Sequence, residues 1–142
     1  MPASPKSPGH HLLLALAPAC VLALLVLGTF LKPAPEGHGT HTQLGLPPCI
    51  SMQVFDFPCP GCGVTTSAAL AARGKFSASL HTQPLGLLLS ALAALYPIWA
   101  LDHALRGRDL QRILRKHSPR PWIIGACVAV LASWIYKLAS MA

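Results

Sequence analysis

Hydrophobic residues gather into three long runs, and the polar residues are confined to the segments between them. The first run spans Leu12 to Leu31, the second begins at Leu80 or Leu85 and ends at Leu101, and the third spans Trp122 to about Ala139. A helix rising 1.5 Å per residue needs about 17 to 25 apolar residues to cross the hydrocarbon core, so each run predicts a membrane span. The expected boundaries are 12–31, 84–101 and 122–139. The second is short if it opens after Pro84, which would mean an earlier start, little tilt or local thinning of the bilayer.

The segments between the runs carry different signals. Residues 32–48 are rich in Pro, Gly, His and Thr with no period, and they read as a surface loop. Val54–Phe57 would suit a short extended piece. Val64–Gly74 is Ala-rich with Thr and Ser at its start and Gly past its end, which predicts a short helix over 64–73. The fold class expected is therefore an all-α integral membrane protein, with three transmembrane helices and a short extracytoplasmic or interfacial helix.

Composition agrees with that class: 53% of the 142 residues are hydrophobic and only 11% are charged, against about 25% charged in soluble domains. The first run is longer than a secretory h-region of about 7 to 15 residues and no small-x-small cleavage site follows it, so it reads as a retained anchor. Ala17-Pro18-Ala19-Cys20 has a faint lipoprotein-box shape, but the apolar run continues past Cys20.

A net charge of +7 raises nucleic acid as a partner, and the placement of the charges argues against it. Arg106, Arg108, Arg112, Arg115, Lys116 and Arg120 all fall in the loop 102–121. By the positive-inside rule that loop is cytoplasmic. Counting spans then puts the tail 1–11 in the cytoplasm and the segment 32–83 outside it. The loop reads first as a topology determinant with no partner, and second as an interfacial helix, because Leu101, Leu105, Ile113 and Leu114 interleave with the arginines and could touch anionic headgroups.

The outer segment holds the candidate chemistry: Cys49, then Cys59-Pro60-Gly61-Cys62-Gly63. Two thiols two residues apart can share a metal, close a disulfide or exchange electrons with another dithiol. In the metal reading the ligands are Cys49, Cys59, Cys62 and a histidine, with His81 preferred over His38 and His41, and zinc is the expected ion. In the disulfide reading three outer cysteines leave one unpaired, which weakens a purely structural account. In the redox reading Cys62 at a helix start is a stabilised thiolate, Cys59 its partner and Cys49 a resolving thiol. The helix signals begin after the second cysteine, unlike thioredoxin-like dithiols, and no quinone or flavin site is recognisable.

Cys49, the Cys59-Pro-Gly-Cys-Gly-Val-Thr65 core, Arg73-Gly74-Lys75-Phe76 and Gln83-Pro84 opening an apolar span resemble a family of small bacterial membrane proteins of unknown function. The resemblance covers about Cys49 to Leu101. It implies a membrane domain in the bacterial inner membrane and supplies no reaction. Thr66 stands where that family usually has Arg, and Gln83 where it usually has Asn, so no role of that Arg carries over.

The remaining residues are plainer. Cys20 and Cys127 read as buried small hydrophobes. Gly125, Ala129 and Ser133 form a small-residue face on the third span, suited to close packing. Trp122, Trp134 and Tyr136 read as interfacial anchors. Glu36 and Asp56 are the only outer acids, no catalytic constellation of Asp, Glu or Ser is visible, and no intramembrane acid or base marks an ion path. The expectation is a binding or accessory module rather than an enzyme. Its partners would be the bilayer and a membrane protein or a second copy of itself.

Overall fold

The computed structural model describes residues 7–55 and 57–141, so Asp56 lies outside the described residues. Seven α-helices and one short 3-10 helix account for the fold, and no strand occurs among the described residues. The long helices are α1 (Pro8–Thr29), α5 (Pro84–Leu105) and α7 (Pro119–Met141); the short ones are α2 (Ile50–Phe55), α3 (Val64–Ala72), α4 (Phe76–Thr82) and α6 (Leu110–Lys116). Each long helix contains a stretch long and apolar enough to cross a membrane, so the protein is an all-α membrane protein with three spans.

Prolines open all three long helices, so α1 and α7 begin ahead of their apolar runs, while α5 begins at Pro84 and continues past Leu101 to Leu105. Pro8 and Pro84 occupy the first turns of α1 and α5, where a missing N–H has no partner to lose, and α7 opens at Pro119 rather than Trp122. The basic loop contains a helix of its own: the Asp109 carboxylate accepts the Gln111 and Arg112 amides and starts α6. Val54 and Phe55 are not extended: they belong to α2, whose first turn closes when the Cys49 carbonyl accepts the Met52 and Gln53 amides.

α1 and α5 pack side by side, and α3 lies across both at one end. Tyr96 on α5 donates to the Leu13 carbonyl at 2.6 Å. Gly86 lets α3 settle on α5: a Cβ there would stand 2.6 Å from Ser67 Cβ and from the Val64 carbonyl. Arg73, at the end of α3, donates to the Gly28 and Leu31 carbonyls at 2.9 and 2.6 Å, satisfying acceptors that α1 leaves open.

At the opposite end the start of α1 meets α6. Ser7 donates its amide and hydroxyl to Asp109 at 2.8 and 2.9 Å, and buried His10 accepts the Leu110 amide through Nδ1. The chain thus has a basic end, with α6, and a thiol end, with α2, α3, α4 and the last turns of α7.

Among the described residues, the hydrogen bonds that tie α7 to other elements lie at the thiol end. Ser133 accepts the Leu85 amide, Trp134 donates to the Pro58 carbonyl and Lys137 to the Thr82 carbonyl. Nearer the basic end a Cβ on Gly125 would meet nothing within 4 Å, so the small-residue face packs only around Ser133. Cys127 is exposed rather than buried, and Cys20 is half-buried. A cleft of about 760 Å³ with almost wholly apolar walls, including Leu16, Leu92, Trp99, Leu114 and Trp122, separates α7 from α1 and α5 there.

Candidate metal centre

The site is built by two turns that face each other. In the first, the Cys62 amide donates to the Cys59 carbonyl at 2.9 Å and the Val64 amide to Gly61 at 3.2 Å, with Pro60 stiffening the bend. Gly63 then takes φ +88°, a region glycine enters without strain, and a Cβ there would stand 2.7 Å from the Gly37 carbonyl. The Gly63 carbonyl accepts the Ser67 amide, and α3 begins. The second turn is the start of α2, which presents Cys49.

These turns bring three sulfurs together. Cys59 donates its S–H to Cys62 Sγ at 3.4 Å, Cys62 donates to Cys49 Sγ at 3.5 Å, and all three Sγ atoms lie within 4.8 Å of one another. All three are free thiols. A zinc ion with Zn–S bonds of about 2.3 Å holds tetrahedral thiolates about 3.8 Å apart, so the cluster needs only a small expansion to surround one ion.

The three thiols are not equivalent. The Met52 amide, helped by the neighbouring thiols and the Ser51 amide and opposed by burial, lowers Cys49 to about 7. Burial, reinforced by the Cys59 and Cys49 thiols, pushes Cys62 up to about 12. This reverses the expectation of a stabilised Cys62 thiolate at the helix start. Cys62 is buried at 5% exposure, and the loss of water outweighs the helix end. Cys49 is the thiol poised to ionise near neutrality, with Cys62 holding the proton that it donates toward Cys49.

Buried neutral hydrogen bonds hold the turns in place. Ser67 Oγ lies 2.9 Å from the Ser79 carbonyl, 2.8 Å from Ser79 Oγ and 2.7 Å from the Gln83 carbonyl. Gln83, fully buried, donates from Nε2 to the Pro60 carbonyl, while its Oε1 has no partner. Thr66 pairs its hydroxyl with Thr40 at 2.7 Å. That bond staples the loop preceding the site to α3.

Of the histidines expected near the thiols, His81 is exposed on α4, its carbonyl accepting from Tyr136, and its ring is outside the three-thiol group. The rings of His38 and His41 are likewise outside that group, but these residues line a cleft of about 380 Å³ together with Glu36, Cys49 and Cys62. Sequence reasoning also passed over Lys137, which contradicts the expectation that no intramembrane base is present. Lys137 is 5% exposed, its Nζ sits 3.5 Å from a Cβ built on Gly63, and no carboxylate lies within 4 Å of it among the described residues. A lone cation in an apolar run was the signal that could have found it.

An all-α, three-span membrane protein with a three-thiol cluster at one end is thus the class that fold and site define. Residues 49–96 match the family model described as "Protein of unknown function (DUF2752)", which supports an uncharacterised domain family for the thiol turns, α2 to α4 and the first part of α5. A search of curated proteins finds no match, and a search of solved structures finds none.

Proposed function

We propose that this protein is a metal-binding accessory module of the bacterial inner membrane, holding zinc through Cys49, Cys59 and Cys62 on the extracytoplasmic side. The convergence of the three sulfurs within 4.8 Å carries this reading. Buried Lys137 beside Gly63 supports it, because three thiolates on Zn²⁺ leave one net negative charge for an ammonium to balance. The orientation follows from the cationic loop 102–121, which the positive-inside rule assigns to the cytoplasm. With α7 lined by lipid-exposed residues along its basic half, a membrane partner or a second copy completes the assembly.

A second reading is a thiol–disulfide oxidoreductase using Cys59 and Cys62, favoured by the lowered pKa of Cys49 and the 3.4 Å approach of the pair. In that reading Cys49, rather than Cys62, is the attacking thiolate.

Metal content and free thiols, measured together on protein purified in detergent without chelator, separate the two. About one zinc per chain, lost in Cys59→Ser/Cys62→Ser and shielding the thiols until removed, is the expected result. No metal and a readily reduced Cys59–Cys62 disulfide would replace it with the redox reading.

A further inference from the structure

Three thiolates leave a zinc ion one ligand short of four. We propose that His38 supplies the fourth ligand through Nε2, on a strap formed by residues 36–39 that closes over the thiols when metal binds. The inference rests on the metal-binding reading above and takes the donor from the cleft rather than from α4.

The cleft is the first reason. Cys49 and Cys62 line it together with Glu36, His38 and His41, so two of the sulfurs and the strap border one space.

The second is the state of the His38 ring. Its Nδ1 lies 3.1 Å from the Glu36 carbonyl. A carbonyl only accepts, so Nδ1 carries the proton and Nε2 keeps its lone pair. Metal-bound histidines are typically oriented by this same donation from the other ring nitrogen. His41 is arranged the other way: Nε2, its outer nitrogen, is used on the Pro47 carbonyl at 3.2 Å, leaving Nδ1 close to its own main chain.

The third is the backbone around His38. Gly37 and Gly39 flank it at φ +72° and +86°, so a peptide rotation on either side meets no Cβ. Beyond them the strap is anchored, because the Ala34 amide donates to Thr40 Oγ1 and Thr40 is stapled to Thr66. Movement is thereby confined to the few residues that carry the ring. The Gly37 carbonyl already rests against Gly63, one residue from Cys62. Glu36 is the other donor on the strap, but its hard oxygen suits a site of soft thiolates less well than imidazole does.

The test uses the full chain in detergent, loaded with zinc and studied by X-ray absorption and by competition with a chromophoric chelator. The wild type should show three sulfurs at about 2.3 Å and one imidazole nitrogen at about 2.0–2.1 Å. His38→Ala should keep the sulfur shell, lose the imidazole signature and bind zinc at least about 100-fold more weakly, while His41→Ala and His81→Ala should match the wild type. His38→Cys, which returns a soft donor to the strap, should recover tight binding and show a fourth sulfur, separating lost ligation from misfolding. An imidazole signature that persists in His38→Ala, or that disappears in His41→Ala or His81→Ala, overturns the assignment while leaving the three-thiol reading intact. Wild-type protein with no zinc–sulfur shell overturns both.

Discussion

The basic end of the bundle is joined through carboxylates, whereas the thiol end is joined through hydroxyls, an amide and two cations, Arg73 and Lys137, that donate to main-chain carbonyls. At the basic end Asp102 pairs with Arg106 at 2.8 Å, and Asp109 receives Ser7 while starting α6. The Ser7 amide is the main reason that the Asp109 carboxyl is lowered to about 2. At the thiol end Ser67, Ser79, Gln83 and the Thr40–Thr66 pair make the joints. Among the described residues no carboxylate lies within 4 Å of Lys137, the buried cation at that end. The carboxylates at one end are taken up by protein donors, whereas the thiols at the other are turned toward one another. The difference separates a structural joint from a candidate site.

The largest effect should come from breaking the thiol end's packing. Gly86→Ala places a methyl 2.6 Å from Ser67 Cβ and the Val64 carbonyl, an overpacking that costs about 1–3 kcal/mol. Thermal unfolding in detergent should shift downward and Cys62 should become easy to alkylate. Gly125→Ala, with open space around it, should leave both unchanged; equal sensitivity at the two positions would contradict the packing described.

Removing the buried cation sharpens the comparison. Lys137→Met keeps the bulk of the side chain but leaves the thiolates without a counter-charge, and zinc affinity should fall about 10-fold with little change in helicity. Unchanged affinity would mean that Lys137 serves only to fasten α7 to Thr82.

A smaller effect is read by titration. In metal-free protein, maleimide labelling of Cys49 should rise through a midpoint at about 7, while Cys62 stays protected toward about 12. Cys49, ionised more readily folded than unfolded, stabilises the fold above a free thiol's 9.0 and loses that contribution as pH falls through about 7. Cys62 works in the opposite sense, its contribution present below 9.0 and lost as pH rises toward about 12. A shared midpoint for the two thiols would argue that they are equally exposed.

The smallest effect belongs to the basic end. Asp109→Asn should loosen the junction of Ser7 with α6, seen as faster amide exchange at Gln111 and Arg112, without altering thiol labelling.

Hydropathy made the three spans legible because a helix crossing lipid needs a continuous apolar run. The thiol pair was legible because its spacing is local. What stayed hidden depended on contacts distant in sequence. Nothing near His38 says that its loop folds back against residues 49 and 62, since that placement comes from the Thr40–Thr66 bond across 26 positions. His81 looked closer because it follows the motif, yet the turn between α3 and α4 leaves it exposed. A helix in the basic loop was raised from its interleaved leucines, but its start at Asp109, a capping signal directly before Leu110, was not read. Cys127 was assigned to an interior because apolar runs resemble buried helices, although much of this span faces lipid.

The Trp134 indole, which donates to the Pro58 carbonyl at 2.9 Å and meets Phe57 edge to face, makes the molecule its own optical probe. The other two tryptophans, Trp99 and Trp122, line the apolar cleft near the basic end. With those two replaced by Phe, emission would come only from a fluorophore tied one residue before Cys59, and its colour would follow events at the thiols without any added label.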